Sequence, residues 1–160
     1  MEAFGAPYSF FFPGGHAAGS SGNHAAQRQN VLMFGTEMGG SGTITAECLK
    51  ICEVGTRRFL AEIGVLHNSR VAPVEKKSRM LHAPDFSFFS YADGEGLFEP
   101  VAELGSEVKK GDIAGYVHLP ETPGSRPEKV YFDAGGVVVC QRIPGRVLRG
   151  DCLYHLGCDF

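Results

Sequence analysis

The chain has 160 residues and a net charge of -3, with 43% hydrophobic and 21% charged residues. That length allows one ordinary domain or two small ones, and the balance is that of a globular rather than a disordered protein. No basic run gives a nucleic-acid footprint, and no apolar stretch reaches membrane-spanning length.

Met1-Glu2-Ala3-Phe4 does not resemble a secretory signal. The five cysteines, Cys48, Cys52, Cys140, Cys152 and Cys158, are odd in number and match no disulfide or zinc-finger spacing. Reduced thiols in a cytoplasmic protein are the expectation.

In chain order, Pro7 to Pro13 is aromatic and reads as a buried strand. Gly14 to Gly22 is a Gly/Ser/Ala loop carrying His16, with His24 following. Two histidines with no third ligand nearby do not make a zinc site, which takes three protein ligands and a water. The loop reads as solvent-facing or substrate-side. Ala25 to Asn30 fits a short helix. The apolar run Val31-Leu32-Met33-Phe34 then reads as a second buried strand, and the pair suggests part of a parallel sheet.

This second strand delivers Glu37 and a glycine-rich loop, Gly39-Gly40-Ser41-Gly42. Open α/β sheets place their ligands at such strand ends, and glycines let a substrate approach the backbone. From pattern alone Glu37 reads either as a catalytic carboxylate or as a loop or capping residue. Thr45 is the expected N-cap of a helix from Ala46 to Val65. Its inward stripe is Leu49, Cys52, Thr56, Phe59, Leu60 and Ile63, with Arg57 and Arg58 outward and Gly64 as the stop. Glu47 complements the helix dipole in the first turn. Arg28, nine residues before Glu37, is a surface arginine or a carboxylate-binding one.

Residues 1–69 therefore form an α/β segment and 70–79 a polar linker. Residues 80–160 are β-rich, with no convincing helix. A repeat runs through this last part. Leu104-Gly105-Ser106-Glu107-Val108-Lys109-Lys110-Gly111-Asp112 aligns with Ile143-Pro144-Gly145-Arg146-Val147-Leu148-Arg149-Gly150-Asp151. Two such halves predict a pseudo-two-fold unit resembling the barrel-sandwich hybrid of biotinyl and lipoyl carrier domains. Lys129, the only lysine between the halves, lacks the carrier flanks. Asp112 and Asp151 read as turn residues. His118-Leu119-Pro120-Glu121 formally spells His-x-x-Glu, but its prolines make it a hairpin loop.

Thr36-Glu37-Met38-Gly39-Gly40, followed by Gly42-Thr43 and a helix, resembles the end of the catalytic domain in the succinylglutamate desuccinylase/aspartoacylase family. These are zinc-dependent deacylases related to zinc carboxypeptidases, and the diaminobutyrate deacetylase branch of ectoine breakdown is the nearest. The resemblance covers the C-terminal part of a family member. It implies an α/β fragment of a zinc-carboxypeptidase-like catalytic domain followed by an all-β barrel-sandwich-hybrid-like domain. It makes Glu37 the general base acting on a zinc-bound water, with Arg28, Gly39 and Gly40 on the substrate side. The Zn2+ ligands are expected upstream of this chain, none within it, so the chain reads as a partial, inactive piece. The implied substrate is a small N-acyl amino acid or N-acetyl-diaminobutyrate, in a protein that binds neither nucleic acid nor membrane and is compatible with a homo-oligomer. The alternative is a non-catalytic barrel-sandwich binding or carrier-like module.

Overall fold

The computed structural model describes residues 1–11, 22–40, 42–67 and 71–160, apart from the side chain of Asn23. His16 and Ser41 lie outside the described residues, as does the end of the first aromatic run. The chain is a mixed α/β fold that divides into two compact units, Met1–Met80 and Leu81–Phe160. Among the described residues, no helix is long and apolar enough to cross a membrane.

The first unit holds strand β1 (Tyr8–Phe11), helix α1 (Gly22–Arg28) and helix α2 (Ala46–Glu62), and strand β2 (Arg79–His82) begins at its end. β1 is not the buried strand expected from its aromatics. Tyr8 and Phe11 are exposed and Ser9 is buried, its hydroxyl 2.7 Å from that of Ser78. The Arg79 N–H donates to the Pro7 carbonyl at 3.0 Å, so this strand lies against the 78–79 segment and not against Val31–Phe34.

Val31–Phe34 itself is not a strand. Val31 donates to the Ala26 carbonyl at 2.8 Å, which closes α1, and Leu32–Met38 make no backbone hydrogen bond with another described residue. The expected parallel pair is therefore absent from the described residues. An apolar run becomes a buried strand only where neighbours cover it and pair its backbone. Here Leu32 is 90% exposed.

α2 begins as expected. The Thr45 hydroxyl accepts from the Cys48 N–H at 3.1 Å, and Gly64, at φ +79°, follows the last turn. Its buried face, however, is rotated from the expected stripe. Gly55 and Ala61 are buried, whereas Leu49, Thr56 and Ile63 are exposed. The reason is a ring. Phe4, only 6% exposed, lies over Gly55, where a Cβ would come within 2.5 Å of a ring carbon. Phe34 packs edge-on to Phe4 at 5.9 Å and to Phe59 at 4.9 Å, completing a small aromatic core. Arg58, expected outward, turns onto the 72–73 segment instead: Nε donates to the Ala72 carbonyl at 2.8 Å and Nη2 to that of Pro73 at 2.5 Å.

The second unit is β-rich. After a 3₁₀ turn at Phe86–Phe88 come β3 (Phe89–Tyr91), β4 (Gly96–Pro100), β5 (Glu107–Val108), β6 (Ile113–His118), β7 (Glu128–Tyr131), β8 (Gly136–Gln141), β9 (Arg146–Val147) and β10 (Cys152–Asp159). One sheet is built on β10, which pairs antiparallel with β8, β3 and the end of β2, while β5 pairs with β8. The other runs β7-β6-β4-β9. The repeat seen in the sequence is a symmetry of this unit. β5 pairs with β8 of the second half, and β9 of the second half pairs with β4 of the first. The two Gly-Asp turns share the same bonds to the backbone. Asp112 accepts from the Lys109 N–H and Asp151 from the Leu148 N–H, each at 2.8 Å. Gly111 and Gly150 stand at φ +90° and +87°. Between the sheets sits Tyr154, 1% exposed, with Phe132 and Phe98 at 5.2 and 5.8 Å. Its hydroxyl donates to the Ala102 carbonyl at 2.9 Å and accepts from the Ala102 N–H at 3.2 Å, so the buried polar group is satisfied.

Candidate active site

Glu37 hangs between two fixed points of the first unit. Three residues before it, Phe34 is held by Phe4 and Phe59. Soon after it, the loop closes on itself. The Thr43 N–H and hydroxyl both donate to the Gly40 carbonyl, at 2.9 and 2.7 Å, and Thr45 then caps α2. Gly39 is required at the bend. Its φ is +95°, and a Cβ there would lie 2.2 Å from the Thr43 carbonyl oxygen. Gly40 faces open space.

The Glu37 side chain is exposed and takes no hydrogen bond or ion pair from a described residue. The helix cap is Thr45, so Glu37 is not a capping carboxylate. Glu37, Gly39 and Gly40 thus share one loop, as expected, but this loop follows an irregular run instead of a strand. Arg28 is the last residue of α1, where its charge complements the helix dipole.

His118 does not form a pair with Glu121. It ends β6, and its Nε2 lies 2.5 Å from Oε2 of Glu99 on β4, on the surface of the second unit. An exposed hydrogen bond of this kind needs no catalytic role. Lys129 lies within β7 opposite Tyr116, not at a hairpin tip. None of the five cysteines is in a disulfide. Partial desolvation, and then the neighbouring Cys140, raises the pKa of Cys152, the reverse of an activated thiol. Among the described residues, no group of three His, Cys, Asp or Glu could hold a metal ion. The described residues therefore do not by themselves make up a complete zinc site.

Phe4 and Gly55 support this loop through Phe34, and neither stands out in the sequence. Phe4 follows a methionine start with no periodic pattern, and a glycine adds nothing to a hydrophobic stripe.

The chain is similar to proteins of known structure or activity. It matches, over nearly its whole length, the C-terminal part of succinylglutamate desuccinylase/aspartoacylase proteins. The N-alpha-acetyl-L-2,4-diaminobutyric acid deacetylase of Halomonas elongata is 32% identical over 152 residues, which are 95% of this chain and 44% of the relative. The ectoine utilization protein EutE (DoeB) of Ruegeria pomeroyi has a TM-score of 0.89 at 30% identity, covering 99% of this chain and 49% of that one. A succinylglutamate desuccinylase/aspartoacylase of Rhodobacter sphaeroides has the same TM-score at 28% identity, covering 99% and 47%. The chain thus spans about half the length of the relatives it matches. No protein-family model matches it.

Proposed function

We propose that this chain is the C-terminal part of a deacylase that cleaves the amide bond of a small N-acyl amino acid, with N-acetyl-diaminobutyrate as the leading candidate. The observation that carries this reading is the 32% identity to a diaminobutyric acid deacetylase over 95% of the chain. In it, residues 1–69 close an α/β catalytic domain, 70–79 are a linker, and 80–160 form a barrel-sandwich-like β domain. Glu37 accepts the proton of the attacking water and passes it to the amine nitrogen as the C–N bond breaks. The products are a carboxylate and a free amine. The Arg28 guanidinium takes the substrate carboxylate in a two-pronged grip, and Gly39 and Gly40 leave room beside the loop. The zinc implied by the resemblance needs ligands from outside the described residues. The carrier-like alternative is less well supported, because Lys129 is paired within a strand.

The test joins this chain, in one polypeptide, to the upstream part of the Halomonas elongata deacetylase that it does not match. Amine release from N-acetyl-diaminobutyrate is expected from the joined protein and not from the chain alone. A folded joined protein without amidase activity on any small N-acyl amino acid contradicts the proposal.

A further inference from the structure

The loop that carries Glu37 is short of restraints. Four of the eight residues from 35 to 42 are glycine, the residue with the most conformational freedom to lose. Glu37 is exposed, and Leu32–Met38 make no backbone hydrogen bond with another described residue. Neither burial nor a partner among the described residues fixes the carboxylate. A general base must nonetheless be held within hydrogen-bond reach of the proton it takes.

The loop is gripped on its far side by Thr43. The Thr43 N–H and hydroxyl both donate to the Gly40 carbonyl, at 2.9 and 2.7 Å, and the two residues form an antiparallel bridge. The Thr43 carbonyl oxygen in turn lies against Gly39, where a Cβ would come within 2.2 Å of it. Thr43 therefore contacts both glycines of the Gly39-Gly40 pair, two and three residues after Glu37. Thr45, two residues further on, ties the same stretch to the first turn of α2 through the Cys48 N–H.

The N–H bond is open to any residue but proline, whereas the second bond needs a hydroxyl. Threonine also has a branched Cβ, which restricts χ1 and keeps the hydroxyl aimed at one acceptor. Thr43 is exposed, so water could satisfy this hydroxyl, and its bond to Gly40 answers no buried need. What the bond does is close the loop. We propose that Thr43 is a positioning residue for Glu37, clasping the Gly40 carbonyl so that the base is presented in one place. This rests on the reading of Glu37 as the general base.

Two substitutions separate the hydroxyl from the shape. Thr43→Val keeps the branched side chain and the N–H bond but loses the hydroxyl, and Thr43→Ser keeps the hydroxyl. In the 160-residue chain, NMR relaxation of the Glu37–Gly40 amides should show larger nanosecond motion in Thr43→Val, with order parameters falling below about 0.6, and native values in Thr43→Ser. In the joined protein, Thr43→Val should lower kcat for N-acetyl-diaminobutyrate by about 10-fold with KM little changed, and Thr43→Ser should restore it. In a Glu37→Gln background, Thr43→Val should cost nothing further, because it acts through the carboxylate that is gone. An equal loss in both backgrounds overturns the proposal, since Thr43 would then act elsewhere. So does a native kcat, or unchanged loop motion, in Thr43→Val. A crippled Glu37→Gln beside a fully active Thr43→Val removes Thr43 alone. A fully active Glu37→Gln removes the base, and the positioning role with it.

Discussion

Replacing Gly55 by alanine sets two effects of known size against each other. In an exposed helix, Gly to Ala stabilises by about 1 kcal/mol. At Gly55 the new Cβ would meet three carbons of the Phe4 ring at 2.5 to 2.7 Å. Phe4 is 6% exposed, so the ring cannot swing aside without leaving its site. Overpacking of this kind costs about 1–3 kcal/mol, and expelling a Phe forfeits about 1.5–3 kcal/mol of burial. The steric term wins, and Gly55→Ala should destabilise the first unit by about 1 kcal/mol. In a Phe4→Leu background the outer ring atoms are gone, and the same substitution should become stabilising by about 0.5–1 kcal/mol. Urea unfolding followed at 222 nm, with exchange of the α2 amides as a local probe, measures both arms of the cycle. A stabilising Gly55→Ala in the native background would refute the packing of Phe4 on α2, and with it the aromatic anchor three residues before Glu37.

Tyr154→Phe leaves the Ala102 N–H and carbonyl without their buried partner, and should cost about 1–3 kcal/mol, lowering the melting temperature of the second unit by about 4 °C or more. An unchanged melting temperature would show that the hydroxyl is not needed to tie the sheets together. Burial pushes the His155 pKa below its usual value of 6.5. The unfolded chain then binds this proton first, so stability should be full above about pH 6.5, fall as the pH drops below it, and level off beneath the folded-state pKa. Thermal melts from pH 8 to 5 should show this slope in the native chain and lose it in His155→Phe, where the ring stacking on Phe89 is kept; a slope that survives the substitution assigns it to another group.

How much could be read in advance depended on where the determining contacts lie. The symmetry of the second unit was legible because it is written locally. A Gly-Asp pair at the same offset in each half specifies the same turn, and Asp112 and Asp151 make the same bond to the backbone three residues before. The start of α2 was legible for the same reason, since Thr45 caps through the N–H of Cys48. The inward face of α2 was not. Counting large apolar residues favours Leu49 and Ile63, whereas the face is chosen by Phe4 resting on a glycine some fifty residues away. Arg58 was misread because its acceptors, the carbonyls of Ala72 and Pro73, belong to a distant segment. Val31–Phe34 has the residues of a buried strand, but burial belongs to a neighbourhood, and the described residues do not supply the neighbours. For the site, Glu37 and its glycines were legible as a loop, while the support from Phe34 was visible only in three dimensions.

The proposed role of Glu37 is tested most directly by Glu37→Gln in the joined protein, measured for kcat, KM and bound metal on one folded sample. Glutamine keeps the shape of the side chain but cannot accept the proton. The expected result is a fall in kcat of roughly 10²–10⁴-fold, with KM little changed and metal content unaltered. A kcat close to that of the unsubstituted protein would remove Glu37 from the chemistry, and loss of metal would make it a ligand or a support of the metal site instead of the base.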